Sequence, residues 1–233
     1  MVTKLSMVIP IRKGSTRTLN KNTRAFTPDG KSLTQIKIEE LEKVKYADEI
    51  VVTTNCDEIE NQINKVKKTN KIKVVRRPQE LCLDTTLVKD IINYMPTICC
   101  GEHILWLHVT SPFVKAEDYD GAIKKYFEEL ENGYDSLMSV TLHKQFMWSD
   151  KKKRIINTDD KVNKWPNTQD LDPLYEINHA FYINSRENYI RTSDRIGNNP
   201  YLYELKNEKS IDIDWEEDFL YAQRIYPAIK GLK

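Results

Sequence analysis

The sequence predicts an α/β fold with a mainly parallel sheet, and three observations carry that expectation. Strand and helix patterns alternate from residue 5 to about residue 140, as βαβ units require. The strand candidates are short continuous apolar runs such as Ile50-Val51-Val52-Thr53-Thr54, the signature of strands buried on both faces. The first strand breaks at Pro10 into a loop rich in Gly, Ser and cations, at the end of an open sheet where ligands bind.

Leu5–Ile11 is the first apolar run and reads as a buried strand. Gly30-Lys31-Ser32 marks a turn, with Ser32 as N-cap of a helix over Leu33–Val44, where apolar residues fall at Leu33, Ile36, Leu41 and Val44. Ile50–Thr54 is a strand, Asp57–Lys68 a polar-faced helix and Lys71–Val75 a short strand. Asp84–Tyr94 reads as a helix capped by Asp84 or Thr85. His103–Val109 is the next strand, Ala116–Asn132 a long helix closed by Gly133, and Ser136–Val140 another strand. The stretch 141–178 differs: it carries Lys151-Lys152-Lys153-Arg154, Trp165-Pro166-Asn167 and Asp172-Pro173 with weak periodicity. It reads as an excursion of hairpins forming a small lobe or dimer contact, with its basic run a solvated turn. Ala180–Ile183 and Ser210–Ile213 return to strand character, and Glu216–Ile225 is a final helix. Residues 1–233 are expected to form one domain.

Composition excludes several classes. Charged residues make up 30% with a net charge of +1, so bulk charge does not drive nucleic-acid binding. No apolar run approaches the ~18 residues of a membrane helix, and no secretory leader is expected. Cys56, Cys82, Cys99 and Cys100 form no C-x-x-C pair, and the four histidines add no ligand spacing. This argues against zinc and for reduced thiols in a cytoplasmic protein.

Four segments carry chemistry. In the opening loop, amides freed by Gly14 and Ser15, with Arg12 and Lys21 nearby, suit a polyphosphate, although neither G-x-G-x-x-G nor the Walker pattern is present. Ile211-Asp212-Ile213-Asp214 would place two carboxylates about 7 Å apart on one face of a strand. Such a pair suits a divalent cation shared with phosphates, or is the wet face of an edge strand. Arg76-Arg77-Pro78 with Asp84 could grip phosphate, but locally reads as surface arginines and a helix cap. His108-Val109-Thr110-Ser111-Pro112 ends a strand with small hydroxyls that permit close ligand approach. A lone His there is a structural group or a substrate contact rather than a base.

Together these segments resemble the cytidylyltransferases that activate acidic sugars, most closely the N-acylneuraminate type. The family's I-P-A-R-x-G-S-x-x-x-x-x-K-N is similar to Ile9 through Asn22, and its R-P-x-x-L-x-x-D-T to Arg77-Pro78, Leu81 and Asp84-Thr85. L-Q-P-T-S-P-L-R resembles Leu107 through Val114. Q-D-L-x-P-x-Y-x-x-N-G-A-x-Y-I resembles Gln169-Asp170-Leu171, Pro173, Tyr175 and Asn178 through Ile183, and I-D-I-D matches residues 211–214. The resemblance implies a Rossmann-like three-layer α/β/α fold and a homodimer with 141–178 at the contact. It implies CTP held by Arg12, Gly14, Ser15, Lys21 and Asn22, with Arg77 and Asp84 nearby, and Mg2+ held by Asp212 and Asp214. Arg12, Lys21 and Asp212 would be the catalytic groups. His108, Thr110, Ser111, Gln169, Asn178 and Tyr182 would face the acidic sugar, whose anomeric hydroxyl attacks the α-phosphorus and expels pyrophosphate.

Departures gather on the acceptor side. His108 and Val109 stand for Gln-Pro, Val114 for Arg, and Asn178-His179-Ala180 for N-G-A. Rival readings are the same transfer to an octulosonic acid or a phosphonate, a D-x-D glycosyltransferase, and a nucleotide-binding homologue without turnover.

Overall fold

The computed structural model describes residues 4–14, 17–159 and 162–231. Seven strands form one sheet: β1 (Leu5–Pro10), β2 (Glu49–Thr54), β3 (Ile72–Arg76), β4 (His103–Leu107), β5 (Ser136–His143), β8 (Leu174–Ser185) and β9 (Pro200–Glu204). β6 (Trp148–Ser149) and β7 (Arg154–Ile155) make a separate hairpin. The order is β3-β2-β1-β4-β8-β5-β9. Four pairings are parallel, and β8 runs antiparallel to both β4 and β5.

Alternation along each strand sends neighbours to opposite faces. Met7 and Ile9 of β1 join one buried cluster with residues of α1 (Leu33–Leu41), α2 (Asp57–Val66), α4 (Ala116–Glu131) and α6 (Glu216–Lys230). Val8, Val51, Ile104 and Trp106 face the other way, onto α3 (Val88–Ile98) and α5 (Arg186–Thr192). The predicted α/β class with helices on both faces is therefore the observed one. Ser32 caps α1 as expected: its hydroxyl accepts from the Gln35 amide, and the Gln35 side chain accepts from the Ser32 amide. Such a cap contributes about 1 kcal/mol.

Three expectations need correction. The helix expected from Asp84 starts only at Val88, with Leu87 at its N-cap, because Asp84 turns its carboxylate to Arg12 instead of to backbone amides. Ser210–Ile213 is not a strand: a 3-10 turn over Asn207–Ser210 leads into extended chain without a ladder. The alternation survives in part, since Ile213 is fully buried while Asp212 and Asp214 both face one cavity. The excursion is shorter than 141–178, because β5 runs on to His143 and pairs with a β8 that already begins at Leu174. Its basic run is a turn at the tip of the β6–β7 hairpin.

The pairing of β5 with β8 slips between Met138 and Val140. Around this bulge Ser139 donates to the Asn178 side chain (2.6 Å) and accepts from the Phe181 amide (3.0 Å), so side chains replace missing ladder bonds. His179 takes φ +58° there. Bulges of this kind re-aim side chains beside ligand sites, and the left-handed backbone explains why the resembling motif carries glycine at this position.

Candidate functional site

A cavity of about 430 Å³ opens at the carboxyl ends of β1, β3 and β4. Its walls hold five cations, Arg12, Arg17, Lys21, Arg77 and Arg195, and two carboxylates, Asp212 and Asp214. Gly14, Asn22, Trp106, His108, Thr110 and His179 also line it.

The opening loop leaves β1 and turns at Gly14, whose φ of +79° a side chain would strain. Arg12 reaches Asp84 across the mouth (2.6 Å). Lys21 runs inward to the carbonyl of Ile213 (2.7 Å) and lies 3.8 Å from Asp214. Arg17 holds Asp214 at 2.8 Å and stacks on Trp215. The Thr18 hydroxyl adds a bond to the Asp214 carbonyl. The loop and the I-D-I-D segment, 192 residues apart, are thus stitched into one unit. Thr110 completes the stitching by accepting from the Ile213 amide at 2.9 Å.

Electrostatics separate the groups. Burial lowers the Lys21 pKa, against the pull of Asp214 and Asp212. Burial also lowers that of Arg77, whose guanidinium donates to the Thr53 carbonyl (2.7 Å) while its Nε finds no partner. Asp212 is pushed up, first by burial and then by Asp214, with Thr110 opposing. Its Oδ1 is buried without a hydrogen-bond partner. Such an oxygen is costly unless something cationic meets it. His108 is driven down to about 3 by burial and then by Arg195, so its ring is neutral. Its Nε2 accepts from Trp106 at 2.9 Å.

Of the residues expected to bind ligand, Arg12, Gly14, Lys21, Asn22, Arg77, His108, Thr110, Asp212 and Asp214 line the cavity. Asp84 stands at its mouth through Arg12. Ser15 lies outside the described residues. Four do not line it. Ser111 is buried, with its carbonyl accepting from Lys37. Asn178 is consumed by the bulge. Gln169 sits in an exposed 3-10 turn of the excursion. Tyr182 is buried behind His179, whose Nδ1 lies 2.6 Å from its hydroxyl. Arg195, Trp106 and His179 were not singled out as ligand contacts. Arg195 follows α5, in a stretch with no periodic or motif signal, and only tertiary structure delivers it to the cavity.

Among the described residues no three His, Cys, Asp or Glu side chains converge as a metal cage. A cation held by Asp212 and Asp214 would therefore need non-protein oxygens to complete its coordination sphere. The unpartnered Asp212 oxygen fits a hard cation.

Residues 6–230 match the cytidylyltransferase family. The chain belongs to that family. An N-acylneuraminate cytidylyltransferase of Streptococcus agalactiae is 27% identical over 152 residues, 65% of this chain and 37% of the relative. One of Escherichia coli is 28% identical over 232 residues, 95% of this chain and 52% of the relative. The chain thus spans about half or less of the length of these curated relatives. The fold is shared with a CMP:2-keto-3-deoxy-manno-octonic acid synthetase complexed with CTP, at TM-score 0.67 and 13% identity over 97% of this chain and 99% of that one. A 4-diphosphocytidyl-2C-methyl-D-erythritol synthase of Anaerococcus prevotii gives TM-score 0.65 and 15% identity, with the same two coverages of 97% and 99%. A mainly parallel sheet with helices on both faces is the architecture common to this cytidylyltransferase and those neighbours.

Proposed function

We propose that this cytidylyltransferase moves CMP from CTP to the anomeric hydroxyl of an acidic sugar of the nonulosonic class, releasing pyrophosphate. The observation that carries the reading is that Arg12, Arg17, Lys21 and Arg77 line one cavity with Asp212, one of whose carboxylate oxygens is buried without a partner. The N-acylneuraminate specificity named for the relatives and the order of the five motifs support the acceptor class.

In this reading the triphosphate replaces carboxylates as the partner of the loop cations. Arg12 exchanges Asp84 for phosphate oxygens, and Arg17 exchanges Asp214. Lys21 keeps its hold on the Ile213 carbonyl and so keeps the acidic segment at the phosphates. Asp212 and Asp214 would hold Mg2+, which when bound supplies charge neutralisation on the phosphate oxygens. Catalysis then rests on positioning and on fixed charge aimed at the pentacoordinate phosphorus. His108 does not serve as general base, because its Nε2 is already engaged by Trp106 and its ring resists protonation.

The excursion leaves Trp148, Val162 and Trp165 59%, 83% and 66% exposed, large apolar side chains that a second copy of the chain would cover. Sedimentation of wild type and Trp165→Asp checks this, a dimer becoming monomer in the variant. None of the described helices is long and apolar enough to cross a membrane.

The deciding experiment is pyrophosphate release from CTP and Mg2+ with N-acetylneuraminate, 2-keto-3-deoxy-manno-octonate and a phosphonate, each other nucleotide serving as control. Release with CTP and the nine-carbon acid is the expected result. Release only with another acceptor moves the reading to that acid. CTP binding without release for any of them favours a binding homologue.

A further inference from the structure

Arg195 is set apart from the other cations of the cavity. Arg12, Arg17, Lys21 and Arg77 each donate to an oxygen of the protein. Among the described residues Arg195 has neither a hydrogen bond nor an ion pair. Its guanidinium instead lies 4.0 Å from the ring centre of Tyr182 and 5.1 Å from that of Trp106. Its neighbour Asp194 turns its carboxylate to the Ile196 amide (3.1 Å) instead. A guanidinium resting on aromatic faces keeps its in-plane N–H donors available, and here it borders the cavity.

The shelf beneath it is rigid. The polar tips of both rings are tied, Trp106 to His108 at 2.9 Å and Tyr182 to His179 at 2.6 Å. The loop that delivers Arg195 is tied as well. The Gly197 amide donates to Ser136 (2.9 Å), and the amides of Asn198 and Asn199 donate to Asp135 (2.7 and 3.0 Å). A Cβ on residue 197 would stand 2.1 Å from an Asp135 oxygen, so a side chain there would displace the carboxylate that holds the loop. Val114, where the resembling motif has Arg, is fully buried and offers no charge.

The cavity has two halves. Arg12, Lys21 and Arg77 come from the loops after β1 and β3, whereas Trp106, His108, His179 and Arg195 belong to the β4–β8 side. Asp212 lies between, pinned to Thr110 on one side and Lys21 on the other through Ile213.

We propose that Arg195 is the specificity-determining cation of the acceptor half, binding an anionic group, carboxylate or phosphate, of the molecule that receives CMP. The inference rests on the cytidylyl-transfer reading for the word acceptor, but not for the anion site itself. Each such contact would be a charge-assisted bond to a preorganised fork.

Calorimetric titration of N-acetylneuraminate, 2-keto-3-deoxy-manno-octonate and inorganic phosphate into wild type and Arg195→Gln tests it, with CTP titrated into both proteins. The expected result is that one anion binds wild type and loses about tenfold or more in affinity in the variant, with CTP affinity unchanged and Arg195→Lys intermediate. The anion that responds tells carboxylate from phosphate. Equal binding to both proteins overturns the assignment, as does no binding to wild type at millimolar concentration or a parallel loss of CTP affinity. Pyrophosphate release separates the two ideas. If no acid supports release yet Arg195→Gln still weakens anion binding, the transfer reading fails and the site stands. If release proceeds with an unchanged acceptor KM in the variant, the transfer reading stands and the site fails.

Discussion

At the β1 end of the cavity every cation is already satisfied by a protein oxygen, Arg12 by Asp84, Arg17 by Asp214 and Lys21 by the Ile213 carbonyl. At the β4–β8 end the cation rests on aromatic rings whose own polar atoms are tied to two histidines. The first end is held by two ion pairs and one carbonyl contact, and in the proposed reading a polyanion would displace the carboxylates. The second is a fixed shape with an unspent charge. Ion pairs at half-exposed side chains are weak and screened by salt. In the proposed reading the nucleotide end would therefore gain its strength from the ligand, and the acceptor end would bring its own order.

The largest effect should come from the group between the two ends. Asp212→Asn is expected to lower kcat for pyrophosphate release by about 100- to 1,000-fold, the scale on which a single electrostatic contact to the reacting group acts. The same variant should melt no lower than wild type at neutral pH. Burial raises the Asp212 pKa, so protonation favours the folded state. The stability tied to that carboxyl is present below the ordinary carboxylate pKa and is lost as pH rises through the raised one. The variant's advantage in melting temperature should thus vanish in acid. A variant that turns over like wild type removes Asp212 from the chemistry.

Lys21→Ala comes next, with kcat/KM for CTP falling by about 100-fold as a charge-assisted contact is lost. The melting temperature should fall too, because the bond to the Ile213 carbonyl holds the two segments together. Rates measured at limiting CTP decide it, and unchanged rates would place Lys21 in the fold alone.

His108 tests the fixed end. Its pKa of about 3 against an ordinary 6.5 means that the unfolded chain binds a proton the folded one refuses. The associated stability is present above pH 6.5 and is lost as pH falls toward about 3. His108→Gln should lose less stability than wild type between pH 7 and pH 4.5, read by urea midpoints at both values. Its kcat should change by less than about tenfold, against the 100- to 10,000-fold expected for a lost general base. A parallel fall of both midpoints would show that His108 does not drive the acid sensitivity.

How much of this was legible in the sequence follows the same division. The βαβ half could be read closely because β1, β2 and β4 are buried on both faces and so carry continuous apolar runs such as Ile50–Thr54. The loop cations were legible because they sit within one motif. β9 and α5 were missed because their residues are half-exposed and mixed in character, leaving no period to detect. Ser210–Ile213 imitated a strand because Ile213 is buried on one side, although no neighbouring strand pairs with it. Arg195, a lone arginine in a loop, reaches Trp106 and Tyr182 only through contacts distant in sequence.

The smallest effect probes the exchange itself. Asp84 is 72% exposed and bridges Arg12, itself 35% exposed, at 2.6 Å. Removing such a pair should cost no more than about 1 kcal/mol of stability after screening. If the carboxylate only parks Arg12 until CTP arrives, Asp84→Asn frees the guanidinium in the unliganded protein. Nothing is then left to displace, and KM for CTP should fall by a few-fold, about the factor that 1 kcal/mol represents. The difference between the two proteins should shrink as salt rises, since the parked pair is itself screened. If Asp84 instead orders the loop from Gln79 to Leu87 over the nucleotide, KM rises in the variant, and added salt does not bring the two proteins together. Steady-state rates at two ionic strengths separate a competitor of the triphosphate from a support of its binding loop, and so show whether the nucleotide end is as exchangeable as its ion pairs make it.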